Sequence, residues 1–273
     1  MLIARARPLL GTVVSIQAHV DEADAPHASQ AVALAFERMA HITRVMSAHH
    51  ASSDLGRIAR AQPDEVFTLD ADTVHVLRAA QHWARISGGA FNPCGAAHTL
   101  SRRQLRPGVA GAAKGNLRDI HIHSATEVWL TQATALDLGG IAKGYAVDCA
   151  IDVLRTHGVT HALVNAGGDL RAIGPRHWPV DVRHANTRLM DGRLTRKKHL
   201  HQKALATSVA GPLNPEFVRT KRRHPLTWHS VSIQADSCMV ADVLTKWALQ
   251  ASLLCPDLRA ALRENHGRMW RSQ

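Results

Sequence analysis

The stretch Asp137-Leu138-Gly139-Gly140-Ile141-Ala142-Lys143-Gly144 is the part of this chain best equipped for chemistry. An apolar run ends at Leu136 and Leu138. Three glycines and one lysine follow, and then Val147, Ala150, Ile151 and Leu154 recur at spacings of three and four. That order reads as strand, glycine loop, helix. Backbone N–H groups at a helix start have no intrahelical partner and point outward, so such a loop makes an anion cradle. Lys143 would add a positive charge, and the glycines would let a ligand approach the backbone. The segment is neither a Walker A motif nor a G-x-G-x-x-G fingerprint. A phosphate-type ligand therefore competes with an ordinary tight turn.

Four further polar positions fall at strand ends or helix starts: Asp137, Asp169, the pair Thr207-Ser208, and Asp242. Sites assemble from loops at such places. Each also has a plain structural reading. Asp137 would cap its turn, Asp169 would close a hairpin through an Asx-turn, and Thr207 and Ser208 would be ordinary strand residues. Asp242 and Lys246 have the four-residue spacing of a surface salt bridge on a helix. A carboxylate among hydroxyl and backbone oxygens suits Mg²⁺, a hard cation. No nucleophile elbow, Ser-His-Asp order or H-E-x-x-H motif occurs.

The elements that must position these groups follow from periodicity. Alternation predicts strands over 12–20, 161–165, 170–173, 179–183, 204–209 and 229–235, with one bent or two short strands in 127–138. Helical spacing predicts helices over 29–47, 70–87 and 237–254, besides the one after the glycine loop. Residues 101–115 and 185–202 read as loops, the second long and mobile. Strands and helices mix without βαβ alternation. The expected class is α+β, with mixed or antiparallel sheets packed against helices in one domain spanning residues 1–273.

Composition narrows the partners. The net charge is +11, from 33 Lys+Arg against 22 Asp+Glu, which favours an anionic ligand. The basic residues are dispersed apart from a cluster at 193–203, and aromatics make up only 4%, so no single-strand stacking platform and no specific nucleic acid are expected. The four cysteines form no C-x-x-C pair and read as reduced thiols of a cytoplasmic protein. No export signal and no membrane span are apparent.

Taken together the motifs are more specific than any one of them. In order they are Pro8-x-Leu10-Gly11-Thr12, Met46-Ser47 with Ser53-Asp54-Leu55, Gly89-x-Phe91-x-Pro93, and the twelve residues Asp137 to Asp148. Asn165-Ala166-Gly167-Gly168-Asp169, Ala206-Thr207-Ser208 and Ala241-Asp242-x-Leu244-Thr245 complete the series. This pattern resembles the ApbE family, the FAD:protein FMN transferases. The resemblance implies an enzyme that takes FAD and Mg²⁺, cleaves the FAD pyrophosphate, joins FMN to a Thr or Ser hydroxyl of a target protein, and releases AMP. The acceptor would be a respiratory or redox subunit. It places FAD on Met46, Asp137, Lys143, Gly144, Asp169, Thr207 and Ser208. It places the metal on Asp242, Thr245 and an oxygen of Gly140, and makes His224 the candidate base.

Some positions depart from the family pattern. His224-Pro225-Leu226-Thr227-Trp228 lacks the acidic residue and glycine that usually follow the histidine. Asn92 and Ala59 stand where an aspartate and an asparagine are usual, and Lys246 holds the place of the usual final threonine. With Lys246 turned to solvent, the metal site would be intact, which is the expectation adopted here. With Lys246 turned inward, its ammonium would take the cation's place on Asp242. An FAD-binding protein without transferase activity and a basic anion- or nucleic-acid-binding protein are the competing functions.

Overall fold

Two tight hairpins organise the main sheet. In the first, Leu9 pairs with Thr12 across Leu10 and Gly11, whose φ values are +55° and +69°. In the second, Ala166 pairs with Asp169 across Gly167 and Gly168, at +66° and +109°. Two consecutive left-handed residues match the right-handed twist of the flanking strands, which is why glycines recur here. A Cβ on Gly167 would lie 2.4 Å from Thr12 Oγ1, so the two turns touch. The structure is a computed structural model that describes residues 1–94, 115–183, 195–209, 230–251 and 255–272. It divides into two compact units, Met1–His41 with Lys143–Gly211 and His224–Gln273, and Ile42–Ala142 with Pro212–Arg223.

The first unit holds a seven-stranded sheet in the order β1-β2-β6-β7-β10-β11-β12. Its strands are β1 Leu2–Leu9, β2 Thr12–His19, β6 Ala162–Ala166, β7 Asp169–Ile173, β10 Ala204–Val209, β11 Ser230–Ala235 and β12 Arg268–Ser272, all antiparallel to their neighbours. A two-stranded ribbon, β8 Trp178–Arg183 with β9 Thr195–Leu200, belongs to the same unit. Successive residues of a strand face opposite sides. On one side Leu163, Leu170, Ala172 and Leu205 pack with Trp178, Val180, Val182 and Leu200 of the ribbon. On the other side lie α4 Ala142–Thr156, mostly in this unit, and α5 Cys238–Gln250. α1 Ala25–Val45 begins in this unit, and α6 Pro256–Glu264 follows α5.

The second unit carries a three-stranded antiparallel sheet, β3 Val66–Thr68, β5 Glu127–Leu130 and β4 Ile120–Ile122, in that spatial order. α2 Asp54–Ile58 is capped by Ser53, whose Oγ accepts from the Gly56 N–H at 3.0 Å. α3 Ala71–Ile86 is capped by Asp70 and stops at Gly88 and Gly89, both with positive φ. Gln81 ties α3 to the β4 region by donating to the Leu117 and Ile120 carbonyls.

The α+β expectation is met, with antiparallel sheets and helices throughout. Residues 185–202 are corrected in part: 195–200 form β9 and pair residue by residue with β8. The basic side chains that made this stretch read as loop are tolerated because a two-stranded ribbon leaves one face to solvent. β1, β12, α2, β3, β4 and α6 were not anticipated. Among the described residues no helix is long and apolar enough to cross a membrane.

Candidate functional site

The register of the sheet puts Asp169, Arg171 and Ser208 on the face beneath α4 and α5, because each alternates with a residue of the opposite apolar cluster. α4 brings Lys143 and Asp148 to this face, and α5 brings Asp242, Thr245 and Lys246. Lys143 Nζ lies 3.0 Å from Asp169 Oδ2. Lys246 Nζ lies 3.0 Å from Asp242 Oδ1 and donates to Ser208 Oγ at 2.5 Å. Asp169, Ser208, Asp242, Thr245 and Lys246 are all buried, while about a quarter of the Lys143 side chain remains exposed, at 26%. Two carboxylates thus face two ammonium groups in a setting from which water is largely excluded.

The hydroxyls fix a direction. Thr245 donates to the Asp242 carbonyl at 2.6 Å, so its single proton is committed. Ser208, 2.7 Å from Thr245 Oγ1, must then donate to Thr245 and present its lone pairs to Lys246. The chain runs Lys246 ammonium, Ser208, Thr245, Asp242 backbone. Asp242 Oδ2 is buried and receives no hydrogen bond from the described residues. Burial raises the Asp169 carboxyl to about 6, aided by the charge of Asp242 and opposed by Lys143 and Lys246. A buried carboxylate loses hydration, and a like charge nearby adds to the cost of ionising it.

A second carboxylate supports this arrangement without joining it. Asp148 Oδ1 accepts from Arg171 Nη1 at 2.7 Å and from the Cys238 N–H at 2.8 Å, and Oδ2 accepts from the Met239 N–H at 2.9 Å. One side chain of α4 therefore holds β7 and the N-terminus of α5, where backbone donors would otherwise be unpaired. Burial raises its carboxyl, offset mainly by Arg171. Ser237 caps the same helix through Val240 N–H at 3.3 Å. At Gly144 a Cβ would lie 2.4 Å from the Cys238 carbonyl oxygen, so α4 and α5 meet backbone to backbone. Gly144 is a packing residue here, although the sequence singled it out for ligand approach.

The remaining anticipated residues sort as follows. Thr207 faces the opposite side of the sheet from Ser208 and bonds Ser232 Oγ at 2.8 Å. Met46, Asp137 and Gly140 belong to the second unit. There Met46 is buried just beyond α1, and Asp137 Oδ1 accepts from the Gly139 N–H at 2.8 Å, capping its turn. The turn before Asp169 is closed by Asn165, whose Oδ1 accepts from Gly168 N–H at 2.9 Å. His224 lies outside the described residues. Asp148 and Arg171 carried no assigned role in the sequence. Their signal was a charged residue inside an otherwise apolar helix stripe and strand.

The sequence profile of the ApbE family matches residues 10–253. The chain belongs to the ApbE family. An FAD:protein FMN transferase of Treponema pallidum (strain Nichols) is 27% identical over 198 residues, covering 67% of this chain and 54% of that protein. One from Rhodobacter capsulatus is 28% identical over 193 residues, covering 64% of this chain and 36% of that protein. The aligned part thus spans about half the length of the first relative and about a third of the second. The solved flavin transferase ApbE of Vibrio cholerae superposes with a TM-score of 0.78 at 19% identity, covering 99% of this chain and 93% of that one. That likeness establishes the fold.

Within this ApbE chain the metal reading of Asp242 can be tested on its own atoms. Mg²⁺ demands near-octahedral oxygen ligands at about 2.0–2.1 Å. The unpartnered Asp242 Oδ2 is suitable as one ligand. The other carboxylate oxygen and Ser208 already face an ammonium, and the Thr245 proton and one of its lone pairs are committed. A dication on the same carboxylate would meet the Lys246 charge across a buried gap, where screening is weak. The residues present do not fit Mg²⁺ at this place. Of the two directions the sequence left open for Lys246, the structure has the inward one, against the intact metal site favoured from sequence: among the described residues α5 is buried nearly all round, and the ammonium lies on Asp242.

Proposed function

We propose that this chain is an FAD:protein FMN transferase. The observation that carries the reading is the family match across residues 10–253, which takes in the motifs from Leu10 onward and reaches into both compact units. We take the whole chain to act as one transferase domain on that ground. In the reaction, an acceptor Ser or Thr oxygen bonds to the FMN phosphorus. The bond from that phosphorus to the bridging pyrophosphate oxygen breaks, and AMP leaves with the bridging oxygen. The hydroxyl proton passes to a base, for which His224 is our candidate.

Lys143 sits in the first turn of α4, after Gly139 and Gly140, with its ammonium partly exposed. An anionic pyrophosphate there would gain from the lysine and from the positive end of the helix dipole. Asp137, Met46, Asp169 and Ser208 complete our candidate flavin set, with Thr207 and Gly144 contributing through the strand and the helix contact. The resemblance also brings Mg²⁺ to Gly140, Asp242 and Thr245; the misfit at Asp242 means that no step is routed through it. The acceptor we have in mind is a respiratory or redox subunit reached in the cytoplasm.

The test is to incubate the purified chain with FAD and candidate acceptor domains. A covalent FMN adduct on an acceptor Ser or Thr, with stoichiometric AMP, is the expected result. FAD binding with no adduct on any acceptor and no AMP would replace the reading with a flavin-binding protein of the same fold. Lys143→Ala should weaken FAD binding by about 1–3 kcal/mol, as removal of a charge-assisted contact does. Calorimetry giving unchanged affinity would remove Lys143 from the site.

A further inference from the structure

Resting on the transferase reading, we propose that Lys246 is the resident cation of this site: its ammonium holds the place of a divalent ion on Asp242, and the chain cleaves FAD with no metal bound there. The geometry argues this from three sides. The ammonium is 3.0 Å from Asp242 Oδ1 and bonds Ser208 Oγ, so it already occupies two of the oxygens that a cation at this place would meet. The hydroxyl order points the lone pairs of Ser208 at it and turns the protons of Ser208 and Thr245 away from it. Such an order suits a positive group.

The second side is burial. Lys246 is 6% exposed and Asp242 is fully buried, on a helix with no solvent-facing stripe at these positions. A metal ion taking the ammonium's place would leave Lys246 as a buried charge without its carboxylate, among the costliest arrangements a protein can adopt. A metal ion would have to displace the ammonium or share the carboxylate with it. The third side is charge balance. Asp169 and Asp242 are matched by Lys143 and Lys246, all acting on one another. A dication would add two positive charges that the protein's own groups do not balance and that only the phosphates of a bound ligand could.

The bonds made and broken are those of the transfer above: acceptor oxygen to FMN phosphorus forms, phosphorus to bridging oxygen breaks, AMP leaves, and the proton goes to the base. Nothing in that balance requires a metal. In this proposal a fixed ammonium in the wall of the site, rather than a metal ion, favours the negative charge that shifts to the leaving group.

Mn²⁺, read by electron paramagnetic resonance on the full chain with FAD bound, reports whether a metal sits on Asp242. The wild type should hold no Mn²⁺ that Asp242→Asn removes, whereas Lys246→Thr should gain one Mn²⁺ per chain and lose it when Asp242→Asn is added. One Mn²⁺ per wild-type chain, lost in Asp242→Asn, overturns the proposal. AMP release from FAD with acceptor and EDTA is the second measurement, and it needs no variant. Release within twofold of that in Mg²⁺ supports the proposal. A loss of tenfold or more, restored by Mg²⁺, overturns it. No release under either condition would count against the transferase reading instead, and the Mn²⁺ counts would still decide the role of Lys246.

Discussion

On one face of the seven-stranded sheet, Leu163, Leu170, Ala172 and Leu205 meet apolar side chains of the β8–β9 ribbon. On the other, Asp169, Arg171 and Ser208, drawn from the same strands, meet α4 and α5 through charges and hydroxyls. Alternation along each strand separates the two, and a one-residue slip would exchange them. The apolar face gains stability from removing surface from water. The polar face loses hydration of its charges and recovers it only where every group finds a partner. The candidate site lies on the face that is costlier to build, and the opposite face, with the helix packing, makes that cost bearable.

The comparison can be broken most strongly at Asp148. Asp148→Ala removes the acceptor of Arg171 and of two helix N–H groups and leaves a largely enclosed guanidinium without its carboxylate. We expect a loss of about 3–5 kcal/mol in urea unfolding. A loss below about 1 kcal/mol would mean that the polar face tolerates an unpaired charge, contrary to the contrast drawn here. Next comes the apolar face. Leu170→Ala should cost about 2–4 kcal/mol through lost burial and the cavity left behind, with FAD affinity unchanged by calorimetry. A parallel fall in affinity would show that the two faces are not independent.

The third effect is smaller and sharpens the contrast, because it comes from a carboxyl of the polar face. The Asp169 carboxyl is raised to about 6 in the folded chain, by burial first and by Asp242 second. The folded state therefore holds this proton more tightly than the unfolded one. Its contribution is fully present below about pH 4 and is lost as pH rises through about 6. Wild-type stability should decline by roughly 1–3 kcal/mol across that window, and Asp169→Asn should flatten this part of the curve. Identical slopes for both proteins would remove Asp169 as the cause.

Much of the architecture was legible in the sequence. β10 was bounded residue for residue, and α3 with its Asp70 cap and glycine stop was readable from periodicity and turn chemistry. What escaped was the short or two-faced material. β1 interleaves arginines with small residues, and β9 is largely basic, so neither shows the alternation of a half-buried strand. The site divided in the same way. Lys143, Asp169, Ser208, Asp242 and Thr245 were named in advance and converge. The direction of Lys246 was not readable from its spacing to Asp242, since the same spacing serves an exposed pair. The overlooked clue was in α5 itself, where Val240, Ala241, Val243, Leu244, Trp247, Ala248 and Leu249 leave no polar stripe for a lysine to join. Asp148 was missed because an isolated acid on a helix has no partner until the fold brings Arg171 and Cys238 to it.

The pairing of β2 with β6 sets Val14 opposite Ala166, about 150 positions apart in the chain. At a synthesis rate of about 5–20 residues per second, the β2 edge waits about 8–30 s for its neighbour to be made. Through that interval the β1–β2 hairpin carries an open row of backbone donors and acceptors, the kind of edge to which another nascent chain can add. Arg5 and Arg7 on β1 guard the far edge by charge. The near edge has Val14, Ile16 and Ala18, with no charged residue between them. Yield of folded protein should therefore depend on how crowded the ribosomes are and how fast they move, independently of the stability of the finished molecule.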